Sequence, residues 1–398
     1  MIAISKSLIV LIAILAVSPF CNCFSPQSCT AATSRSIARH STAVTMVNGQ
    51  DIATSADVTE TIRQESLQQY DMVMDHFMFE LGNDMVFLQD LKETSRYIDD
   101  NFDAILFDCD GVLYRGTDAI PDAAESLKSL LGQDKKVLFV TNNAGSNRKQ
   151  LRDKLATILD CPDLTEEQMV SSSYSAARYL QKTFEGRGVS MEDSNVHVIG
   201  TGGLCDELRR FGANVTGGPS EDKPSMSREE LASYPFNVEE GPQGKVDAVV
   251  VGLDNEFNYR KLCIANVLLQ KYPDALLVAT NEDAYDLVGS DARHLPGNGS
   301  LVKAIECCSQ REAINVGKPS KILAELLSEE HGLDPARTLF VGDRLDTDIK
   351  FGRDGGMKSA LVLTGCTTAK ALMGLGVGTD EEPLPDIIFP HMGMMGLR

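Results

Sequence analysis

Four short stretches of the chain carry residues whose types suit chemistry on a phosphate group. Asp108 and Asp110 stand two apart, after the apolar run Ala104–Phe107 and just before Gly111. Carboxylates that close repel unless a divalent metal or a shared proton offsets the charge. Hard oxygen donors beside an open crevice favour magnesium over zinc. Thr141, Asn142 and Asn143 close a second apolar run, Val137–Val140, with one hydroxyl and two carboxamides able to bond phosphate oxygens. Lys318, between Gly317 and Pro319, follows Ile314–Gly317 and can neutralise both a bound phosphate and a nucleophilic carboxylate. Asp343 follows Gly342 at the end of Thr338–Val341, with Asp346 and Asp348 close behind. Taken singly, each stretch has a plainer reading: an acidic turn, a Thr-Asn-Asn turn, a surface lysine, a solvated helix start. All four follow runs that read as parallel strands, and open α/β sheets place their ligand sites at such C-terminal ends.

The elements that must hold these residues follow from the apolar pattern. Short continuous apolar runs alternate with helical spacing, which predicts an α/β fold built on a parallel sheet. Helices are expected over Ala123–Leu131, Ser146–Leu159, Leu204–Phe211 and Arg260–Gln270, and from Leu301. Glu166–Phe184 reads as a short strand followed by a helix. Further strands are expected at Val196–Gly200, Val246–Gly252, Leu276–Thr280, Ala360–Thr364 and Ile387–Phe389. Gly217–Gly244 and Asp286–Gly299 read as loops from their Gly, Pro and polar content. Before residue 98 the spacing of Thr59–Asp75 and Phe77–Tyr97 predicts two helices in an acidic arm. They either cover an edge of the core or serve in assembly.

With these residues in view, the chain resembles the haloacid dehalogenase superfamily. The stretches that carry the likeness are Asp108-Cys-Asp110-Gly, Thr141-Asn-Asn143, Gly317-Lys318-Pro-Ser320 and Gly342-Asp343-Arg-Leu-Asp-Thr-Asp348. The forms Gly-Lys-Pro-Ser and Gly-Asp-Arg-Leu-Asp-Thr-Asp are those of its phosphoglycolate, pyridoxal and nitrophenyl phosphatase group. The likeness covers roughly residues 100–390. It implies a Rossmann-like doubly wound parallel-sheet core, residues 99–184 and 313–398, with a smaller α/β cap inserted over 185–312. It also implies a phosphomonoester hydrolase that works through an aspartyl-phosphate. Asp108 would be the nucleophile and Asp110 the acid and base. Thr141, Asn142, Asn143 and Lys318 would bind the phosphoryl group, and Asp108, Asp110 and Asp343 would hold Mg2+. Asp348 would support Lys318 or the metal shell without ligating. In this group the cap meets the leaving group, so Arg293 and His294 are candidates to meet a substrate carboxylate. The substrate expected is a small phosphorylated metabolite, foremost 2-phosphoglycolate in photorespiration. The alternatives are a broad small-molecule phosphatase and a non-catalytic phospho-ligand sensor on the same fold.

Composition narrows the partners. A formal net charge of −20 and the absence of tryptophan argue against nucleic acid and against anionic membranes. Residues 1–23 read as a signal peptide, with Lys6 before the apolar stretch Leu8–Val17. Phe24–Asn48 holds no acidic residue and is rich in Ser, Thr and Ala, with Arg35 and Arg39, as in a transit peptide. Together they resemble a bipartite plastid leader, which implies the stroma of a complex chloroplast; secretion is the alternative. Once the leader is removed no membrane association is expected, and a homodimer is among the expected assemblies. Three of the ten cysteines fall in the leader, and the other seven show no metal-binding spacing, so they are expected reduced and mostly buried.

Overall fold

Ala104–Phe107 is apolar at every position, and in the computed structural model it forms a strand buried on both faces. The structure describes residues 55–81, 85–235, 245–288, 293–375, 378–380 and 382–396, so the leader expected over residues 1–48 lies outside the described residues. Ile105 and Phe107 join Val137, Phe139, Leu339 and Val341 in one core. Ala104 and Leu106 join Leu138, Val140 and Phe340 in another on the opposite face. A strand covered on both sides needs this unbroken apolar run, because neither face meets water. Each fully buried Val, Leu or Phe contributes about 1.5–3 kcal/mol.

The main sheet has seven strands in the order Val86–Phe87, Ile387–Phe389, Lys358–Val362, Thr338–Gly342, Ala104–Phe107, Lys136–Thr141, Met169–Ser171. All neighbours run parallel. Ala123–Leu131 and Arg148–Ile158 cover one face, and Lys321–His331 the other, which is the doubly wound arrangement. Thr338–Gly342, Ala104–Phe107 and Lys136–Thr141 are adjacent at the centre, so their C-terminal ends lie side by side.

A second parallel sheet of five strands runs in the order Ile314–Asn315, Leu276–Ala279, Ala248–Val251, Asn195–Ile199, Asn214–Gly217. It too is buried on both faces, with Val196, Val198, Val250 and Val278 on one side and Val249, Val251, Leu277 and Ala279 on the other.

Three expectations change. Ile314–Asn315 belongs to the second sheet, pairing Val278 with Ile314 and Ala279 with Asn315. A short apolar run carries no mark of which parallel sheet it will join, so a boundary at residue 313 cuts through this sheet. Ala176, Ala177, Leu180 and Phe184 likewise pack into the second sheet's core. The stretch expected as a loop over Asp286–Gly299 is in part an antiparallel hairpin, Tyr285–Val288 with Arg293–Pro296. All four residues of its second strand are exposed, so the burial periodicity that marks a strand is missing. Finally, Phe77–Tyr97 is not one helix. The chain passes from the helix Ser55–Asp75 through a π-helical turn, His76–Leu81, to an edge strand, Val86–Phe87, and then to the helix Leu91–Asn101. Pairing of Val86 with Ile387 decides that region, and it is set by tertiary contact.

The described cysteines are free, but they are not mostly buried as expected: Cys109, Cys161 and Cys205 are buried, Cys263 and Cys366 half-buried, and Cys307 and Cys308 exposed. No described helix is long and apolar enough to cross a membrane.

His197 lies inside the second sheet. Its Nδ1 is 3.1 Å from Thr216 Oγ1, and its Nε2 has no hydrogen-bond partner among the described residues. Burial pushes its pKa down to about 4. The unfolded chain therefore binds a proton between about pH 6.5 and 4 that the folded chain refuses, so stability is lost as pH falls through that window. Thermal unfolding of His197→Asn should show a smaller drop between pH 6.5 and 4.5 than the wild type.

Candidate active site

Asp108 leaves the central strand at the point where Gly111 turns the chain. Gly111 has a φ of +80°, and a Cβ there would stand 2.6 Å from Asp343 Oδ2, so glycine is required on both counts. The Thr338–Gly342 strand beside it delivers Asp343. The side chains of Asp108 and Asp343 are both buried. Lys318 arrives from the second sheet and is also buried; its Nζ stands 2.6 Å from Asp108 Oδ1 and 2.7 Å from Asp348 Oδ1. Asp348 turns its other oxygen back on the chain, accepting from the backbone N–H groups of Asp343 and Arg344 at 3.0 and 3.1 Å. This carboxylate thus pairs with Lys318 through one oxygen and accepts from two amides with the other, and it fixes the bend that presents Asp343.

Three carboxylates, Asp108, Asp343 and Asp348, place oxygens within 4.8 Å of one another. One ammonium faces them. Burial, then Asp348, pushes Asp343 up to about 7. Burial also raises Asp108, against the pull of Lys318. Burial alone would lower Lys318, but Asp108 and Asp348 overcome it and hold the ammonium above its ordinary range. The cluster is short of positive charge, and its donors are all hard oxygens. That deficit fits a divalent cation of the magnesium type.

Asp110 is exposed, and its Oδ2 accepts from Tyr114 Oη at 2.8 Å. Cys109 points into the core, fully buried. Thr141 is buried, with Oγ1 accepting the Asn143 N–H at 3.2 Å. Asn143 is exposed and uses its Oδ1 to hold the Gly145 N–H at 2.7 Å. Asn142 is a hub. Its Oδ1 accepts from Lys318 N at 2.8 Å, and its Nδ2 donates to Lys318 O at 3.1 Å and to Asp283 Oδ1 at 2.9 Å. Its own carbonyl accepts from Asn281 and Ser172, at 2.7 and 2.6 Å. The Lys318 backbone is therefore clamped to the neighbouring strand end by both ends of one carboxamide.

Four participants were not picked out in the sequence: Tyr114, Asn281, Asp283 and Arg344. Burial pushes Asp283 up to about 6, against the pull of Arg344. Arg344 grips Asp346 with two nitrogens, at 3.2 and 3.1 Å, and donates to the Tyr285 carbonyl at 3.1 Å. It thereby ties the hairpin, a separate two-stranded sheet, to the segment that carries Asp343. The hairpin also stacks Tyr285 on His294, with ring centroids 4.0 Å apart. Thr280, Asn281 and Asp283 follow the Leu276–Ala279 strand, so the strand-end pattern that flags Asp108 and Asp343 would also have flagged Asp283. It holds for both sheets.

Comparison with known proteins agrees with this geometry. A family model described as haloacid dehalogenase-like hydrolase matches residues 105–214, and a second HAD-like hydrolase model matches 315–392. Phosphoglycolate phosphatase 1A, chloroplastic, of Arabidopsis thaliana is 38% identical over 284 residues, covering 71% of this chain and 74% of that one. Glycerol-3-phosphate phosphatase of Gallus gallus is 38% identical over 283 residues, 71% of this chain and 86% of its own. Human chronophin is 41% identical over 261 residues, 66% and 81%. The chain belongs to the haloacid dehalogenase-like hydrolases. Among solved structures, the p-nitrophenyl phosphatase of Archaeoglobus fulgidus is 25% identical with a TM-score of 0.60, covering 74% of this chain and 98% of that one. Glycerol phosphate phosphatase Rv1692 of Mycobacterium tuberculosis, solved in complex with magnesium, is 25% identical with a TM-score of 0.58, covering 75% and 78%. Within its family the chain is a phosphoric monoester hydrolase of this phosphatase group.

Lys318 is the sole cation in direct contact with Asp108 and Asp348 among the described residues. Lys318→Met should cost about 3 kcal/mol in urea unfolding at pH 7.5 with chelator present, because a buried charge pair is broken on one side only. The loss should shrink at pH 5.5. There the raised acid of Asp343 takes up a proton in the folded state and the repulsion falls.

Proposed function

We propose that this haloacid dehalogenase-like phosphatase hydrolyses 2-phosphoglycolate to glycolate and phosphate in a plastid, with Mg2+ as its cofactor. The observation that carries the reading is Lys318 locked between Asp108 and Asp348 beside the buried Asp343. Asp108 keeps one oxygen on Lys318 and offers the other to phosphorus. Attack forms the aspartyl-phosphate bond and breaks the bond from phosphorus to the leaving oxygen, which takes its proton from the Asp110 carboxyl. Asp110, now a carboxylate, takes a proton from water. That water attacks phosphorus and breaks the acyl-phosphate bond, releasing inorganic phosphate and restoring Asp108. Asp110 suits the task because it is exposed to the entering water and held by the Tyr114 hydroxyl. The Thr141 hydroxyl, the Asn142 backbone, Asn143 and Lys318 bind the phosphoryl oxygens and balance their charge. Asp108, Asp343 and Asp110, the last through its backbone carbonyl, would hold the metal. Bound there, Mg2+ supplies the positive charge that lets a carboxylate approach a phosphate dianion.

The substrate reading draws on the hairpin. Burial raises the pKa of the Asp286 carboxyl and the charge of Asp110 adds to it, which supports a leaving group lying between Asp110 and the hairpin. Arg293 and His294 on its exposed strand would meet the carboxylate of a two-carbon leaving group. The chloroplastic Arabidopsis relative and the leader composition support the same substrate and compartment.

Protein lacking the leader, loaded with Mg2+ and assayed for phosphate release, should favour 2-phosphoglycolate by at least about tenfold, roughly 1.4 kcal/mol. The competitors are pyridoxal phosphate, glycerol phosphate and 4-nitrophenyl phosphate. A flat profile selects the broad phosphatase, and preference for a competitor rejects the glycolate reading. Asp108→Asn should abolish turnover while leaving the fold intact. A Mg2+-loaded wild type with no turnover on any of them would make the chain a phospho-ligand sensor.

A further inference from the structure

The helix Ser55–Asp75 and its π-helical continuation lie outside both family matches, which begin at residue 105. They are nevertheless built into the walls of the site. Ile62, Ser66, Tyr70 and Val73 form a buried stripe at helical spacing, and Phe77 continues it. Tyr70, Val73 and Phe77 share one core with Leu345, inside the turn from Asp343 to Asp348, and with Ile349, just after it. The same core takes in Leu363 and Ala369, which bracket the loop that covers Asp343.

The polar contacts follow the same route. Gln69 Oε1 accepts the backbone N–H of Ala369 at 2.9 Å. The loop before Ala369 donates twice to Asp343: Cys366 N to Oδ2 at 2.6 Å, and Thr367 N to the carbonyl at 3.0 Å. A Cβ on Gly365 would overlap the Asp343 carboxylate, so this backbone is in close contact with it. On the other side Glu65 faces Arg115 at 3.7 Å, Arg115 Nε donates to the Thr364 carbonyl, and Thr364 Oγ1 donates to the Gly111 carbonyl at 2.6 Å. Arg63 anchors the helix with two bonds to Asp122, at 2.5 and 3.1 Å. Three backbone segments surround Asp343; the arm shares a core with or bonds to two of them and reaches the third, at Gly111, through Arg115 and Thr364.

We propose that the Ser55–Leu81 arm is a positioning element for the metal-binding side of the site, holding Asp343 in place against the repulsion of Asp108 and Asp348. The inference rests on the Mg2+-dependent phosphatase reading. Carboxylates gathered before a metal arrives push one another apart, and a brace on their loops keeps the cluster ready at low metal concentration. Supporting groups one step removed from a metal commonly set its affinity by about tenfold or more. A mere cover for an apolar edge would affect stability alone.

The test uses the chain from residue 49 onward, with Mg2+ binding followed by titration calorimetry and 4-nitrophenyl phosphate as the assay substrate. Val73→Ala should raise the half-saturating Mg2+ concentration about tenfold, and Gln69→Ala should shift it the same way by a smaller factor. Gln69→Glu, which keeps an acceptor for Ala369 N–H, should stay near the wild type. KM at saturating Mg2+ should not move. Val250→Ala removes the same two methyls from the second sheet's core, so it should lose comparable thermal stability and leave Mg2+ affinity unchanged. If Gln69→Ala and Val73→Ala bind Mg2+ as the wild type does, or shift no more than Val250→Ala, the arm is not a positioning element. A wild type that neither binds Mg2+ nor turns over overturns the phosphatase reading, and this inference with it.

Discussion

One ammonium facing three buried carboxylates is the constraint on which the rest of the structure depends. Lys318 balances Asp108 and Asp348, and Asp343 is left with a surplus of negative charge. Burial makes that surplus expensive, so the cluster persists only where surrounding structure over-determines it. The Asn142 carboxamide clamps Lys318 on one side. The Asp343–Asp348 bend, closed by two backbone amides, fixes the other.

The same constraint explains why two sheets meet here. Asp108 and its neighbouring acids come from the main sheet, but the lysine comes from a strand that pairs with the second. Joining a cation from one layer to carboxylates from the other couples the two electrostatically. Arg344 adds a second link, from the Asp343 segment to the hairpin at Tyr285, and Asp283 a third, through Asn142. The hairpin is thereby tied to the segment that carries Asp343 and to the strand end that carries Asn142.

Much of this is legible in the amino-acid order alone. Strands buried on both faces announce themselves as unbroken apolar runs, and Ala104–Phe107 and Ile387–Phe389 fall where the pattern puts them. The residue types at the strand ends suit a phosphate and a metal, and the resemblance that their motifs carry to the haloacid dehalogenase group implies the reaction. Less legible are features without a burial rhythm. The hairpin has an exposed strand, and the arm's last turns are broken by a strand pairing that reaches to residue 387.

By itself, then, the sequence determined the α/β class, the identities of Asp108, Asp110, Thr141, Lys318 and Asp343, and the kind of reaction they suit. The class follows from two short periodicities; the site residues and the reaction follow from the resemblance that the four strand-end motifs carry to the haloacid dehalogenase group. Only the tertiary structure decided which sheet carries Lys318, that Asp348 is a scaffold for the Asp343 bend, and that Arg344 and Asp283 join the layers. Those facts depend on contacts between residues far apart in the chain, such as Lys318 with Asp108 or Gln69 with Ala369. No local pattern encodes a partner two hundred residues away. It emerges when burial brings the strand ends together and leaves each charge to find its counterpart.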